Sequence, residues 1–265
     1  MKKLPLSIGI LSWNSNKVLE YTLQSYKKNG LLNLSDDITV YFQEISEEDK
    51  ELAEKFGLNY LGTAENIGIG KAIANLAENS KHDFFLFLEN DWELIKNPQK
   101  TFSGLDSGIK LLIDGFDVVR YRSRKNPGFP LHSLRHKGNE LNYYDDWHQC
   151  SSPHLLESVH WLNPAEEFPD KIQKKGEFFI TTSRWANWTN NPFLIHKNFY
   201  LENLAGFSGE TVDFERKIAF WWARQTFKIA QGEGLFTHND FKKYPPKTLV
   251  SKVKNRLKNM MGKKK

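Results

Sequence analysis

Cysteine is nearly missing from this chain: Cys150 is the single one among 265 residues. That excludes an internal disulfide framework and any zinc site built from several thiolates, and it suits a reducing compartment. Long apolar runs are missing too. None reaches the roughly 20 residues that a membrane-spanning helix needs. The opening Met1-Lys2-Lys3-Leu4-Pro5 leads into an apolar stretch too short and too broken, at Ser7 and Gly9, for a signal peptide. A cytoplasmic protein is expected. Acidic residues are absent from 242–265, a segment that holds ten Lys and Arg. The whole chain carries +5, so 1–241 is left with −5. The basic character therefore belongs to a tail, and the mildly acidic body gives no reason to expect a nucleic-acid partner.

What is present suffices for a large core: 39% of residues are hydrophobic and 14% aromatic. The apolar pattern alternates between strand-like and helix-like segments. Strands are expected at 6–12, 38–42, 60–62 and 84–88, with helices at 17–28, 46–56 and 71–79 between them. This β-α-β-α-β-α-β order predicts a mainly parallel sheet with right-handed crossovers. The second half is less regular. A helix is expected at 99–114, strands at 117–122, 178–183 and 192–196, a strong helix at 213–224 and a short last strand at 227–230. The stretch 123–142 reads as a long functional loop. One domain over 1–241 follows, with halves 1–93 and 94–241. The tail 242–265 has Leu249, Val250, Val253, Leu257 and Met260 at helical spacing. Such a segment can lie on an anionic membrane surface or serve as a disordered solubilising tail.

The most informative stretch is Phe84-Phe85-Leu86-Phe87-Leu88-Glu89-Asn90-Asp91-Trp92. Five large apolar residues form a strand with no polar face, as in the centre of a parallel sheet. Glu89 and Asp91 then stand at its carboxyl end, where open α/β sheets bind ligands. Two adjacent acids with no base beside them either hold a divalent cation or begin a solvated loop.

In order along the chain, four segments resemble glycosyltransferase family 2 and its rhamnosyltransferase-like members, nucleotide-sugar enzymes of the GT-A fold. Ser7-Ile8-Gly9-Ile10-Leu11-Ser12-Trp13-Asn14 is similar to the family's first strand and turn. Asn66-Ile67-Gly68 is similar to its Asn-x-Gly loop, and Glu89-Asn90-Asp91 to its Asp-x-Asp motif. Gly209-Glu210-Thr211-Val212-Asp213-Phe214-Glu215-Arg216 is similar to the acidic motif that supplies the base. The pattern departs at Glu89, the first acid of Asp-x-Asp, at Thr211, where the family commonly has Asp after Glu, and at Gln43-Glu44, where many members have Asp-Asp.

The resemblance implies an α/β GT-A fold, a Rossmann-like nucleotide-binding half with an acceptor-binding half. It implies transfer of a hexosyl or deoxyhexosyl group, with inversion, from a nucleoside-diphosphate sugar to a glycan or glycolipid acceptor. Ser12, Asn14, Glu44, Asn66, Gly68, Glu89 and Asn90 would line the donor site. Asp91, assisted by Glu89 and by His238, would hold Mn2+ or Mg2+. Glu210 would be the general base, with Asp213 positioning or capping. Arg120, Arg122 and Arg124 alternate, so they share one face and meet either an anionic group or solvent. Trp185 and Trp188 form either a sugar platform or core, and Trp221-Trp222 reads as core. A rival metal cluster, Asp145, Asp146, His148, His154 and His160, has no strand in front of it. The rival function is a catalytically inactive carbohydrate- or nucleotide-binding protein of the same fold.

Overall fold

The computed structural model describes residues 2–128, 135–136, 139–140, 143–209 and 213–239. Within them the first half follows the expected alternation. Strand β1 is Leu6–Trp13, β2 Asp37–Gln43, β3 Asn59–Thr63 and β4 Phe84–Glu89. Helices α1 (Asn16–Lys28), α2 (Glu47–Lys55) and α3 (Ile69–Glu78) connect them. All three strand pairings in this half are parallel, in the order β3-β2-β1-β4. Ser46 and Asp49 form a reciprocal capping box that starts α2.

The second half adds β5 (Trp92–Leu94), α4 (Pro98–Ile113) and β6 (Val118–Arg122). The pair β7 (Arg135–His136) and β8 (Asn139–Glu140) forms its own small sheet. Next come α5 (Asp146–Ser151), α6 (Pro164–Glu167), β9 (Gln173–Lys175), β10 (Phe178–Thr182), β11 (Phe193–His196), α7 (Lys197–Asn203), α8 (Phe214–Trp222) and β12 (Lys228–His238). The main sheet continues from β4 as β11-β6-β12-β10-β9, with β5 on the end of β12. Here β11 runs antiparallel to both neighbours, while β6 and β12 are parallel. The sheet is therefore mainly parallel in its core, with one reversed strand at its middle.

Alternation along β4 divides the core. Leu86 and Leu88 join α1 and α4 side chains such as Leu23, Tyr26, Leu105 and Ile109 on one face. Phe85 and Phe87 join Ile73 of α3, Tyr200 of α7 and Ile218 and Trp222 of α8 on the other. The result is a helix–sheet–helix sandwich whose central strand is buried on both faces. Gly9 is needed in β1: a Cβ there would lie 2.6 Å from the Phe85 ring.

The last strand differs from expectation. A short strand at 227–230 is expected from the sequence, yet β12 runs on through Gly232-Glu233-Gly234 to His238. The register to β6 shifts between Gln231 and Phe236, and Gly234 takes φ +85°. A bulge of this kind absorbs the extra residues without ending the strand, and the continuation brings His238 beside β5.

Candidate active site at the carboxyl edge

Strands β1, β2, β4 and β12 all deliver polar side chains to one edge. At the end of β1 the chain turns at Asn14 (φ +48°), and at the end of β2 at Glu44 (φ +57°). These are the two described non-glycine residues in the left-handed region, an uncommon conformation that clusters at functional sites. They face each other, with Asn14 Nδ2 donating to Glu44 Oε2 at 2.8 Å. Ser12 lies just inside, and its Oγ accepts from Asn90 Nδ2 at 3.3 Å. The Asn90 amide N–H is bound to Leu11 O at 2.9 Å, which ties the turn after β4 to β1.

The Asn66–Gly68 loop is fastened to the same edge. Asn66 Oδ1 accepts from Gly68 N at 2.9 Å, a side-chain turn that suits Gly68 at φ +86°. Gln43 Oε1 accepts from both Ile67 N (2.8 Å) and Gly68 N (3.1 Å). Gln43 is buried and is the strut of this loop. As the residue beside Glu44 it was visible only as a departure from an acidic pair.

Asp91 and His238 meet across β5 and β12, with Asp91 Oδ2 3.0 Å from His238 Nε2. The other carboxylate oxygen, Oδ1, is buried and accepts no hydrogen bond. Asn239 N donates to the Asp91 carbonyl at 2.8 Å, and His238 N to Pro127 O at 3.3 Å. The Trp92 ring packs edge-on against the imidazole at 4.9 Å. Glu89 is the third acid of the edge. Burial pushes its carboxyl well above the usual range, and the charges of Asp91 and Glu215 push the same way. An acceptor oxygen without a donor, an imidazole and excess negative charge together fit a divalent cation, which Asp91 and His238 would hold. Among the described residues no group of three or more His, Cys, Asp or Glu converges as a metal cluster.

The turn under His238 is tight. Gly128 pairs with His238 as an isolated bridge at φ +69°, and a Cβ there would come within 2.0 Å of the His238 carbonyl oxygen. Gly128→Ala is therefore expected to cost about 2 kcal/mol or more, from the left-handed backbone and the forced displacement. Urea melts of the variant check this.

Several expectations are corrected. Arg120, Arg122 and Arg124 are buried rather than solvated. Arg120 lies 3.6 Å from Glu157. Arg122 donates to Pro127 O (2.9 Å) and Gly128 O (3.2 Å), and its guanidinium lies 5.2 Å from the Trp92 ring centre. It supports the turn beneath His238. Arg124 binds the Ser158 and Trp161 carbonyls. The counterion Glu157 was not singled out in the sequence, because nothing local marks it.

Trp188 is core, packed on Phe193 and Trp222, and has no face for a sugar. Trp185 is half-buried between Tyr144 and Lys171. The rival cluster does not assemble: Asp145 caps α5 and binds His148, both ring to carboxylate at 2.9 Å and through the backbone.

Glu210 lies outside the described residues, as do His132 and the tail 242–265. Asp213 sits at the N-terminus of α8, faces solvent 3.5 Å from Arg216, and makes no capping hydrogen bond. Glu215 is the acid of this helix that turns inward. A signal for it existed: with Ile218, Ala219 and Trp222 it occupies the buried helical stripe at spacings of three, four and seven.

No family model matches the chain, and no curated protein matches it by sequence. Solved structures do. S. aureus TarS (residues 1–349) superposes with a TM-score of 0.51 at 13% identity, covering 91% of this chain and 62% of that one. Glucosyl-3-phosphoglycerate synthase from Mycobacterium tuberculosis, solved with Mn2+, UDP-glucose and phosphoglyceric acid, superposes with a TM-score of 0.50 at 14% identity, covering 89% and 72%. The chain has the GT-A fold. It spans less than two thirds of the TarS structure, and at these identities the likeness is one of fold. The strand ends just described form one carboxyl edge of this sheet. No described helix is long and apolar enough to cross a membrane.

Proposed function

We propose that this protein is a metal-dependent, inverting glycosyltransferase that moves a hexosyl or deoxyhexosyl group from a nucleoside-diphosphate sugar to a glycan or glycoconjugate. The observation that carries the reading is the convergence at one sheet edge of the Asn14–Glu44 pair, the Gln43-held Gly68 turn and the Asp91–His238 pair. Asn14, Glu44 and Ser12 offer donors and acceptors to a nucleoside. Gly68 permits close backbone approach to it. Glu89, assisted by Asn90, is assigned to the ribose or sugar side of the donor, next to Asp91.

A divalent cation on Asp91 and His238, Mn2+ or Mg2+, would neutralise charge gathering on the leaving diphosphate. Glu210 is assigned as the base. As the acceptor hydroxyl gives its proton to that carboxylate, its oxygen bonds the anomeric carbon. The bond from that carbon to the diphosphate oxygen breaks, and the electron pair leaves with the diphosphate. The basic tail is assigned to peripheral contact with an anionic membrane that presents a lipid-linked acceptor.

Thermal melting with UDP, GDP, CDP or dTDP, each with and without Mn2+, tests the donor reading. The matching diphosphate at about a hundred times its Kd should stabilise by roughly 2.7 kcal/mol, or about 5–10 °C for a chain of this size, and only with the metal. No shift with any diphosphate would sink it. A shift without turnover of any sugar donor would favour the inactive binding protein instead.

A further inference from the structure

We infer that Glu215 is a positioning residue that locks the Thr189-Asn190-Asn191 turn in place as the sugar-side wall of the acid edge. Glu215 Oε1 accepts the Asn190 amide N–H at 2.6 Å. The neighbouring Thr189 hydroxyl favours the ionised form of this carboxylate, and Thr189 Oγ1 accepts the Asn191 amide N–H at 3.3 Å. The carboxylate thus fixes Asn190 directly, between two residues that are tied to each other. Asn190 does not hold the turn through its own carboxamide oxygen: it is buried, and that oxygen has no hydrogen-bond donor.

The turn adjoins the acid edge, and the Glu215 charge reaches Glu89. Phe193 of β11 pairs with Phe87 on one side and Arg120 on the other. One residue before the strand, Pro192 O still accepts from Tyr121 N at 2.9 Å, which keeps Asn191 beside β6. Asn191 Oδ1 lies 3.5 Å from Arg122 Nη1, and Arg122 in turn carries the turn under His238. Glu215 is therefore linked through the Asn190 amide and the adjoining Asn191 to the turn beneath His238. Glu215 is placed for this by α8, whose first turn it occupies with Phe214 and Ile218 packed in the core. Its neighbour Asp213 points to solvent, so the inward task falls to Glu215.

The consequence for sugar transfer rests on the glycosyltransferase reading; the locking of the turn does not. The test uses the full chain with Glu215→Ala and Glu215→Gln. Amide hydrogen exchange at Asn190 should quicken at least tenfold in the Ala variant and return close to wild type in the Gln variant, whose carbonyl oxygen can accept the same N–H. Transfer should follow: kcat/KM for the sugar donor falls about 10–100-fold in Ala, from the loss of a hydrogen bond to a charged group, and recovers to within about fivefold in Gln. Unchanged exchange in Glu215→Ala would overturn the inference whatever the activity. A Gln variant as inactive as Ala, with normal exchange, would overturn it in favour of proton transfer by Glu215. If the wild type turns over no sugar donor, the exchange result alone decides the inference, and the functional reading falls separately.

Discussion

Asp91→Ala is expected to reduce sugar transfer by about a thousandfold or more, since a bound cation supplies several kcal/mol of charge stabilisation in the transition state. The protein should nonetheless fold normally. The backbone around Asp91 is fixed by groups that alanine retains: its carbonyl accepts from Asn239 N, and the preceding amide is held by Leu11 O. The side chain has one oxygen beside His238 and one with no hydrogen-bond donor. Removing it also relieves the repulsion that raises the Glu89 carboxyl. Melting in the absence of ligand should therefore move by no more than about 1 kcal/mol, whereas the Mn2+-dependent shift with nucleoside diphosphate should vanish. Full transfer by this variant at ordinary Mn2+ concentrations would refute the assignment of the metal to Asp91 and His238. Asp91→Asn distinguishes charge from shape: it keeps one oxygen of similar geometry, so substantial retained activity would point to a structural role.

The part of this site read from sequence was the part written in local pattern. The run Phe84–Leu88 is apolar at every position, and only a strand covered on both faces uses such a run. Its position among three βα units fixed where Glu89 and Asp91 emerge. Gly68 and Asn66 announced a turn by residue type. The parts not legible depend on contacts far apart in sequence. Arg120, Arg122 and Arg124 alternate as an exposed strand would, and only the 153–161 segment folding over them, with Glu157, turns that face inward. Trp188 resembles a sugar platform until β11 and α8 enclose it. The extension of β12 to His238 was hidden by two glycines that a strand tolerates only at a bulge. Glu215 was concealed differently: an acid in a first helical turn is expected to face solvent and favour the helix dipole, and its place on the buried stripe was the contrary sign.

Glu157→Ala should produce the largest loss of stability, about 3–5 kcal/mol, because it strands buried positive charge. The Arg120 and Glu157 side chains are 4% and 7% exposed and 3.6 Å apart. Glu157 acts on all three guanidinium groups of the row, opposing the effect of burial on Arg120, Arg122 and Arg124; burial still brings Arg124 down to about 10. Glu215 adds attraction for Arg120 and Arg122, but Arg124 has Glu157 as its stabilising carboxylate and a like charge in Arg120. Glu157 also caps the short turn at 158–160 through Val159 N at 3.0 Å, which adds about 1 kcal/mol to the loss. Urea unfolding measures the total. The origin of the loss is separable by a second substitution. If uncompensated charge dominates, Arg120→Met in the Glu157→Ala background should restore part of the stability, so that the double variant is more stable than Glu157→Ala alone. If the loss were instead simple packing, the two substitutions would add, and the double variant would be the least stable of the set.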